Sequence, residues 1–507
     1  MKREIRDREA YQKVVEAFQK QHGKALYQGA TIADIVAKTA LPLQTVREMV
    51  PLAADEYNAR LEVTESGEIR YSFPHGFTSK YRGFRAGLRR MMEKVTKGVK
   101  IASAWVFKVW IMVMLVGYFV LFMLIALASL LISMAASSSS SESRSSNRGG
   151  GFGGLYLASG IFNMIIRIWF YSELLNSMDR SMGRMERRTR LASKPQSRPL
   201  YKAIFSFVFG DGDPNADWPN RERQAVIAYI QANRGVIALP EFMALTGLSA
   251  QAAEERICGY CAEFGGLPEA TEEGTVVYRF DALLLRAEER DRSFPGLSAP
   301  IKRLKPFSSN PAKMNGWFSV INGVNLLFGG YFLFNALGTG AILTQAHFNA
   351  ASRIYGITYL LLSQLFANPL PVITVGLGLT PLLFSLLFWL IPCLRYLGTR
   401  KDNEGIKMEN LRKDGFNRIW NTPLAFKAAD INPKAVECKP SKLDAAKERI
   451  IKELGVYSSP EVEIDQQGET VYSFGELERE RRALERYRSG IDPNASHLGA
   501  TIFDSGA

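Results

Sequence analysis

The densest set of potential metal-ligand side chains lies in one acidic loop. It consists of Asp211, Asp213, Asn215, Asp217 and Glu222. These residues stand at positions 1, 3, 5, 7 and 12 of the loop, which is the spacing of a calcium-binding loop. Two residues oppose that interpretation. Ala216 replaces the glycine that the sharp turn needs at position 6, and Pro219 stiffens position 9 of the loop. The alternative is a tight turn that caps the next helix, which a near copy at 492–495 favours.

A pair of cysteines offers a second kind of chemistry. Cys258 and Cys261 have the spacing of a thiol-exchange motif or of half a zinc site. The other two cysteines, Cys393 and Cys438, form no second pair, and the histidines stand apart from any cluster of ligands. Since residues three apart share a helix face, core packing is the favoured interpretation. The sequence therefore predicts a protein that is not an enzyme and has no cofactor.

Long apolar runs surround these residues. The run from Ala104 to Met134 ends in 26 residues without a charge. As a helix these would extend about 39 Å, more than the hydrocarbon core of a bilayer. Further spans are predicted at Leu155–Tyr171, Trp317–Leu337 and Pro371–Leu397. Residues 338–370 are only partly apolar, and Ile354–Phe366 within them is expected to be re-entrant or interfacial.

Polar residues inside the third span raise the question of transport. Asn322, Asn325 and Asn335 lie there with several glycines, and prolines interrupt the next span. Such residues can break helices around a substrate pathway. They can equally allow close helix packing, with amides hydrogen-bonded across the interface. Four spans with almost no buried charge favour packing, so an oligomeric channel or transporter is the second alternative function.

Basic residues cluster beside the spans. The chain has 63 Lys and Arg against 50 Asp and Glu, and Lys80–Lys100 alone holds eight basic residues and one acid. The positive-inside rule then places all three modules and both termini in the cytoplasm. The lipid bilayer is an expected partner, and a bacterial inner membrane is the expected location. The arginines expected to meet lipid headgroups are Arg82, Arg85, Arg89, Arg90, Arg184, Arg187 and Arg188. Topology signalling without lipid specificity explains the same charges equally well.

One short pattern occurs three times. Gly67–Phe73, Gly274–Phe280 and Gly468–Phe474 all read Gly-x-x-x-Tyr-x-Phe, with a glutamate five residues before each glycine. Residues two apart share a face of a strand, so we expect the aromatic rings to pack on helices behind the strand. These structural-repeat residues are Tyr71, Phe73, Tyr278, Phe280, Tyr472 and Phe474. Helices precede the ribbons in a shared order, although the first helix of the third copy is unclear. This combination resembles a winged-helix domain.

The sequence thus predicts a mainly α protein with small β-ribbons, in which transmembrane hairpins alternate with cytoplasmic winged-helix-like α+β modules. The modules are predicted at 1–79, 205–290 and 421–490, and the hairpins at 104–175 and 317–397. Basic linkers are predicted at 80–103, 176–204, 291–316 and 398–420, with a tail at 491–507.

The resemblance implies DNA binding as one function, because winged helices often read the major groove with their third helix. The charges of the first two modules oppose it. Lys24–Phe73 has five basic and seven acidic residues, and Phe205–Leu285 has five basic and twelve acidic ones. A membrane-tethered DNA-binding regulator is therefore the first alternative, with nucleic acid a disfavoured partner. The leading hypothesis is an integral membrane protein whose modules are docking or assembly surfaces for a protein partner or a second copy.

Overall fold

The computed structural model of the chain describes residues 2–22, 29–80, 84–138, 198–287, 299–344, 348–431, 440–492 and 497–506. Within them the chain is mainly helical, with three antiparallel sheets of three strands each. It divides into two compact units. Unit 1 consists of Met1–Arg90, Asp213–Lys305 and Asp402–Ala507, and unit 2 of Met91–Gly212 and Pro306–Lys401.

The described α-helices, in chain order, are α1 (Lys2–His22), α2 (Ile32–Thr39), α3 (Leu43–Glu56), α4 (Phe84–Met112), α5 (Tyr118–Ser138), α6 (Leu200–Phe209), α7 (Trp218–Ala232), α8 (Leu239–Thr246), α9 (Ala250–Phe264), α10 (Ala312–Leu337), α11 (Thr339–Leu343), α12 (Arg353–Ser363), α13 (Thr380–Asn421), α14 (Pro440–Gly455) and α15 (Gly475–Gly490). Two π-helical segments, Val113–Gly117 and Val372–Leu379, precede α5 and α13. The strands are β1 (Arg60–Thr64), β2 (Ile69–Ser72), β3 (Val236–Ala238), β4 (Leu267–Ala270), β5 (Val276–Arg279), β6 (Phe426–Lys427), β7 (Glu461–Ile464), β8 (Thr470–Ser473) and β9 (Thr501–Asp504).

Unit 1 contains the repeated pattern three times, each time on a β-hairpin. The hairpins are β1–β2, β4–β5 and β7–β8, and the sheets have the strand orders β2-β1-β9, β3-β5-β4 and β6-β8-β7. The glycine of the pattern closes each turn with a positive φ, +77° at Gly67, +83° at Gly274 and +80° at Gly468. Only glycine adopts this conformation without strain, which explains why it begins the pattern.

The repetition extends to the residues before the hairpins. The tyrosine of each pattern pairs with a residue that lies two positions before a helical turn: Ala30 with Tyr71, Ile237 with Tyr278 and Phe426 with Tyr472. An acidic side chain in that first turn then accepts a backbone N–H, from Thr31 to Asp34 at 3.0 Å, from Ala238 to Glu241 at 3.2 Å and from Lys427 to Asp430 at 2.9 Å. This capping arrangement satisfies a donor that the helix itself leaves unpaired.

A continuous core joins the three repeats. Buried residues from all of them, including Phe18, Ile35, Phe242, Phe416 and Ile450, belong to one apolar cluster. The repeats of unit 1 therefore fold around shared contacts rather than around three separate cores.

Two stretches predicted to be linkers are helical. Residues 398–420 lie in α13, and Leu411, Phe416 and Ile419 are buried there in the core of unit 1. Apolar residues at this helical spacing, among charged ones, mark an amphipathic helix, so this stretch is the helix that precedes the third repeat. Residues 80–103 likewise include the start of α4.

The apolar stretches of the long helices lie in unit 2, and α13 continues from Lys401 of unit 2 into Asp402 of unit 1. Three helical stretches in the described part of the chain are long and apolar enough to cross a membrane: Ile101–Ser133, Ala312–Leu337 and Val372–Asn421. Large apolar side chains point outward from them, such as Leu327 at 73% and Phe334 at 77% exposure. The predicted span Leu155–Tyr171 lies outside the described residues. The segment expected to be re-entrant or interfacial, Ile354–Phe366, overlaps α12, which begins one residue earlier and ends at Ser363.

Polar side chains bridge these helices. Asn325 Nδ2 donates to the carbonyl of Leu115, 2.8 Å away in the first π-helical segment, and Asn322 Nδ2 donates to the carbonyl of Ser385 at 3.0 Å. At Gly329 a Cβ atom would lie 3.1 Å from the carbonyl oxygen of Gly378, so the two backbones meet directly. These contacts are of the kind that close helix packing produces.

Candidate interaction surface

The aromatic residues of the repeat mostly face the core of unit 1. Tyr71 and Tyr278 are 5% and 7% exposed, and Phe73, Phe280 and Phe474 are also buried. Tyr472 is half-buried at the edge of the same core. The aromatic rings therefore anchor the hairpins, and the exposed strand residues of the hairpins lie mainly on β4 and β7.

The third helices of the first two repeats contact each other. Helix α3 packs against α9, and Leu43 and Phe264 are both buried in the shared core. The exposed residues of α9 include Glu254 and Glu255 beside Arg256. This surface is mixed to acidic in charge, which is poorly suited to a phosphate backbone.

The predicted calcium loop has other partners. Asp211 accepts hydrogen bonds from Ser206 Oγ at 2.6 Å and Ser309 N–H at 2.8 Å, and pairs with Arg198 at 2.9 Å. Burial opposes ionisation, but these donors hold the pKa of Asp211 at about 2. The other carboxylate at the start of the loop, Asp213, pairs with Lys305 at 3.0 Å.

The remaining residues of the loop are also engaged locally. Asn215 exchanges hydrogen bonds with the backbone of Arg303 at 2.7 and 2.9 Å. Asp217 accepts from Asn220 at 2.7 Å, and Glu222 accepts from the indole of Trp218 at 3.0 Å. In the described part of the chain, no group of three or more His, Cys, Asp or Glu side chains could hold a metal ion. The geometry thus supports turn chemistry and gives the metal hypothesis no support.

The cysteine pair lies on α9, but only one of its members meets the core. Cys261 is partly buried against the core of unit 1, whereas Cys258 is exposed, so the core interpretation fails for Cys258. Burial and the neighbouring thiol raise the pKa of Cys261 to about 11. A nucleophilic thiol needs a lowered pKa, so Cys261 is not an activated nucleophile.

The arginines proposed to meet lipid headgroups fall into two sets. Arg85, Arg89 and Arg90 lie in α4. Arg82, Arg184, Arg187 and Arg188 lie outside the described residues.

Helix α15 carries contacts that sequence reasoning missed. It follows the third hairpin but packs on the second repeat, where Arg488 donates to Glu241 at 2.6 and 2.9 Å and to the carbonyl of Val236 at 2.8 Å. The hydroxyl of Tyr487 donates to Glu269 of β4. Glu241 is buried and the side chain of Arg488 is 14% exposed, and no local pattern in the sequence could have paired residues so far apart.

The outer edge of β7 is the other missed feature. All four residues of this strand are exposed. The alternation of Glu461, Val462, Glu463 and Ile464 was the available signal, because it is typical of a strand with one apolar and one charged face. Strand β9, Thr501–Asp504, pairs with the edge of β1 and lies in the predicted tail. Its sequence predicts a strand less clearly than the alternation in β7 does.

Comparison with known proteins gives one relative. The chain is similar to an uncharacterized chloroplastic protein of Arabidopsis thaliana, with 23% identity over 402 residues, which cover 78% of this chain and 70% of the plant protein. An alignment of that length includes residues of both units. No family model matches the chain, and no solved structure matches it.

Proposed function

We propose that the chain is a multi-pass membrane protein in which membrane-spanning hairpins alternate with winged-helix-like modules. The modules, assembled in unit 1, would serve as a docking surface for another protein beside the bilayer. Three apolar helices of spanning length support the membrane part. Helices, a strand and a hairpin occur three times around one shared core, which supports the proposal that unit 1 is an assembly of three modules.

The observation that carries the docking function is the packing of α3 against α9. A winged-helix domain reads DNA by inserting its third helix into the major groove. Here the two third helices are engaged with each other, and the exposed face of α9 presents Glu254 and Glu255. A protein surface is therefore a better partner than nucleic acid, which ranks the DNA-binding regulator second.

The basic flanks support an orientation for the modules. By the positive-inside rule, unit 1 and both termini lie in the cytoplasm, or in the stroma if the chain resides in a plastid as its relative does. In a variant whose native cysteines are replaced by serine, a cysteine at Thr344 should react with an impermeant thiol reagent from outside. Cysteines at Ser66 and Glu272 should stay protected until the membrane is opened. Early labelling at Glu272 would contradict the proposed orientation.

The docking function is tested with the full-length chain in its own membranes. A photo-crosslinking residue at Glu255, on the exposed face of α9, should give protein adducts of defined mass. The same residue at Leu327, which is 73% exposed on an apolar helix, should give lipid adducts instead. DNA binding by the purified chain that falls steeply between about 50 and 200 mM salt would overturn the proposal in favour of a DNA-binding regulator.

A further inference from the structure

The three hairpins of unit 1 differ at one equivalent position of their first strand. The residues that pair with the repeated tyrosine are Leu61, Pro268 and Val462. The hydrogen bond that closes each turn lies three residues further along the chain. Since hydrogen-bonded and non-hydrogen-bonded pairs alternate in an antiparallel hairpin, the backbone N and C=O at these positions face away from the partner strand.

The first two hairpins leave no strand-binding edge at this position. In the first, β9 runs antiparallel to β1, and Leu61 exchanges hydrogen bonds with Ser505 at 2.8 and 2.9 Å. Arg60 pairs there with Asp504 of β9. In the second, Pro268 has no N–H to donate, and proline on an edge strand blocks the addition of another strand.

The third hairpin leaves this edge open. Within the described part of the chain β7 pairs only with β8, and Val462 and Ile464 are 59% and 76% exposed. These two apolar side chains share one face, and Glu461 and Glu463 share the other. An exposed edge with an apolar face is a template for an added strand.

Charge indicates which strand the edge would accept. Glu461 of the third hairpin and Arg60 of the first occupy equivalent positions, because they are opposite Ser473 and Ser72. The third hairpin therefore has a negative side chain where the first has a positive one. Among the described residues neither Glu461 nor Glu463 has an ion-pair partner. Antiparallel pairing of β7 with β7 of a second copy, in any register that sets apolar residues opposite each other, would also set Glu463 opposite Glu461, Glu463 or Asp465. The charges therefore disfavour a second copy and favour a basic strand.

We propose that the outer edge of β7 binds an extended segment of a partner protein in which basic and apolar residues alternate. The segment would run antiparallel to β7, as β9 does on β1. This assignment rests on the proposed docking function and names the chemistry of the partner. Val462 supplies the backbone hydrogen bonds, and Glu461 and Glu463 select the basic side chains.

The test uses the full-length chain in nanodiscs of phosphatidylcholine, which carries no net charge and so does not attract basic peptides. The probe is a labelled peptide of alternating lysine and valine, compared by fluorescence anisotropy with one of alternating glutamate and valine. The lysine peptide should bind preferentially. Val462→Pro, which copies the second hairpin, should weaken binding about tenfold or more. Glu461→Lys with Glu463→Lys should transfer the preference to the glutamate peptide.

A matched control separates this edge from general charge. Glu9→Lys with Glu16→Lys makes the same change of charge at two exposed positions of α1 and should leave peptide binding unchanged. Equal binding by the Val462→Pro chain, with its melting temperature unchanged, would overturn the proposal. If that variant melts early, the charge-reversal pair decides, and an unreversed preference overturns the proposal instead.

Two further outcomes identify what has failed. Self-association of the wild-type chain that is lost in the Val462→Pro variant would assign the edge to a second copy and overturn the basic partner. Failure of peptide binding together with protein adducts at Glu255 would reject the β7 edge and leave the docking function standing. Salt-dependent DNA binding would reject the docking function itself.

Discussion

The second and third hairpins share a sequence pattern, a register and a turn, yet their surroundings differ. Tyr278 is 7% exposed, whereas Tyr472 is half-buried. After β5 the chain enters a short 3-10 helix, Asp281–Leu283, but after β8 it enters α15, which packs on the second repeat. The third hairpin therefore supplies the helix that covers its neighbour. The pattern specifies the hairpin, and the contacts that other elements make with it differ between the repeats.

The largest effect is expected from removing the contact that holds α15 on the second repeat. Arg488→Ala leaves the carboxylate of Glu241 buried without its charged partner, so the free energy of unfolding should fall by about 3–5 kcal/mol. Chemical denaturation of the full-length chain in detergent measures this. Arg482→Ala is the control, because Arg482 is 61% exposed and pairs with Glu478 of its own helix; its cost should be below about 1 kcal/mol. Equal costs would mean that the buried pair does not hold α15 in place.

The difference in burial predicts unequal costs for removing the two tyrosine rings. Tyr278→Ala should lower the free energy of unfolding by about 3 kcal/mol, because it removes a buried ring from the core. Tyr472→Ala should cost about 1 kcal/mol, because that ring is already partly in water. The same denaturation assay compares the two variants. If Tyr472→Ala costs as much as Tyr278→Ala, the third hairpin is covered after all and the comparison fails.

Local patterns predicted the hairpins, and distant contacts explain what they missed. The spacing of Tyr and Phe in the repeat was sufficient to place five of the six rings in the core. Residues 398–420 form an amphipathic helix and not a linker: their lysine and arginine residues are typical of a topology signal, but the buried Leu411, Phe416 and Ile419 have helical spacing among them. The pairing of β9 with β1 joins residues more than 400 positions apart, for example Asp504 with Arg60. No periodicity along the chain encodes such a contact, and the same holds for Arg488 with Glu241.

Removing β9 should make the first hairpin resemble the third. Truncation after Gly499 removes Ser505, whose Oγ accepts the N–H of Leu61, and Ala500, whose carbonyl accepts the N–H of Glu65. The carbonyl of Leu61 also loses the N–H that Ser505 donates to it. The lost backbone hydrogen bonds should cost about 1–2 kcal/mol. Hydrogen exchange followed by mass spectrometry should show faster exchange in β1 and no change in β4. Unchanged exchange in β1 would mean that β9 does not protect this edge in solution.

The smallest contrast is expected at the turns, where the two hairpins are alike. Gly274 and Gly468 have φ values of +83° and +80°, and a Cβ atom at either position would meet no other atom within 4 Å. Alanine at each site should therefore cost only the strain of a left-handed backbone, about 1 kcal/mol. Because the added Cβ atom would contact no other element at either turn, the two costs in free energy of unfolding should agree within about 0.5 kcal/mol. Urea denaturation of the two variants under one set of conditions gives the difference directly. A larger cost at Gly274 would show that contacts around the second turn, and not the backbone alone, require glycine there; the difference between the hairpins would then extend to their turns.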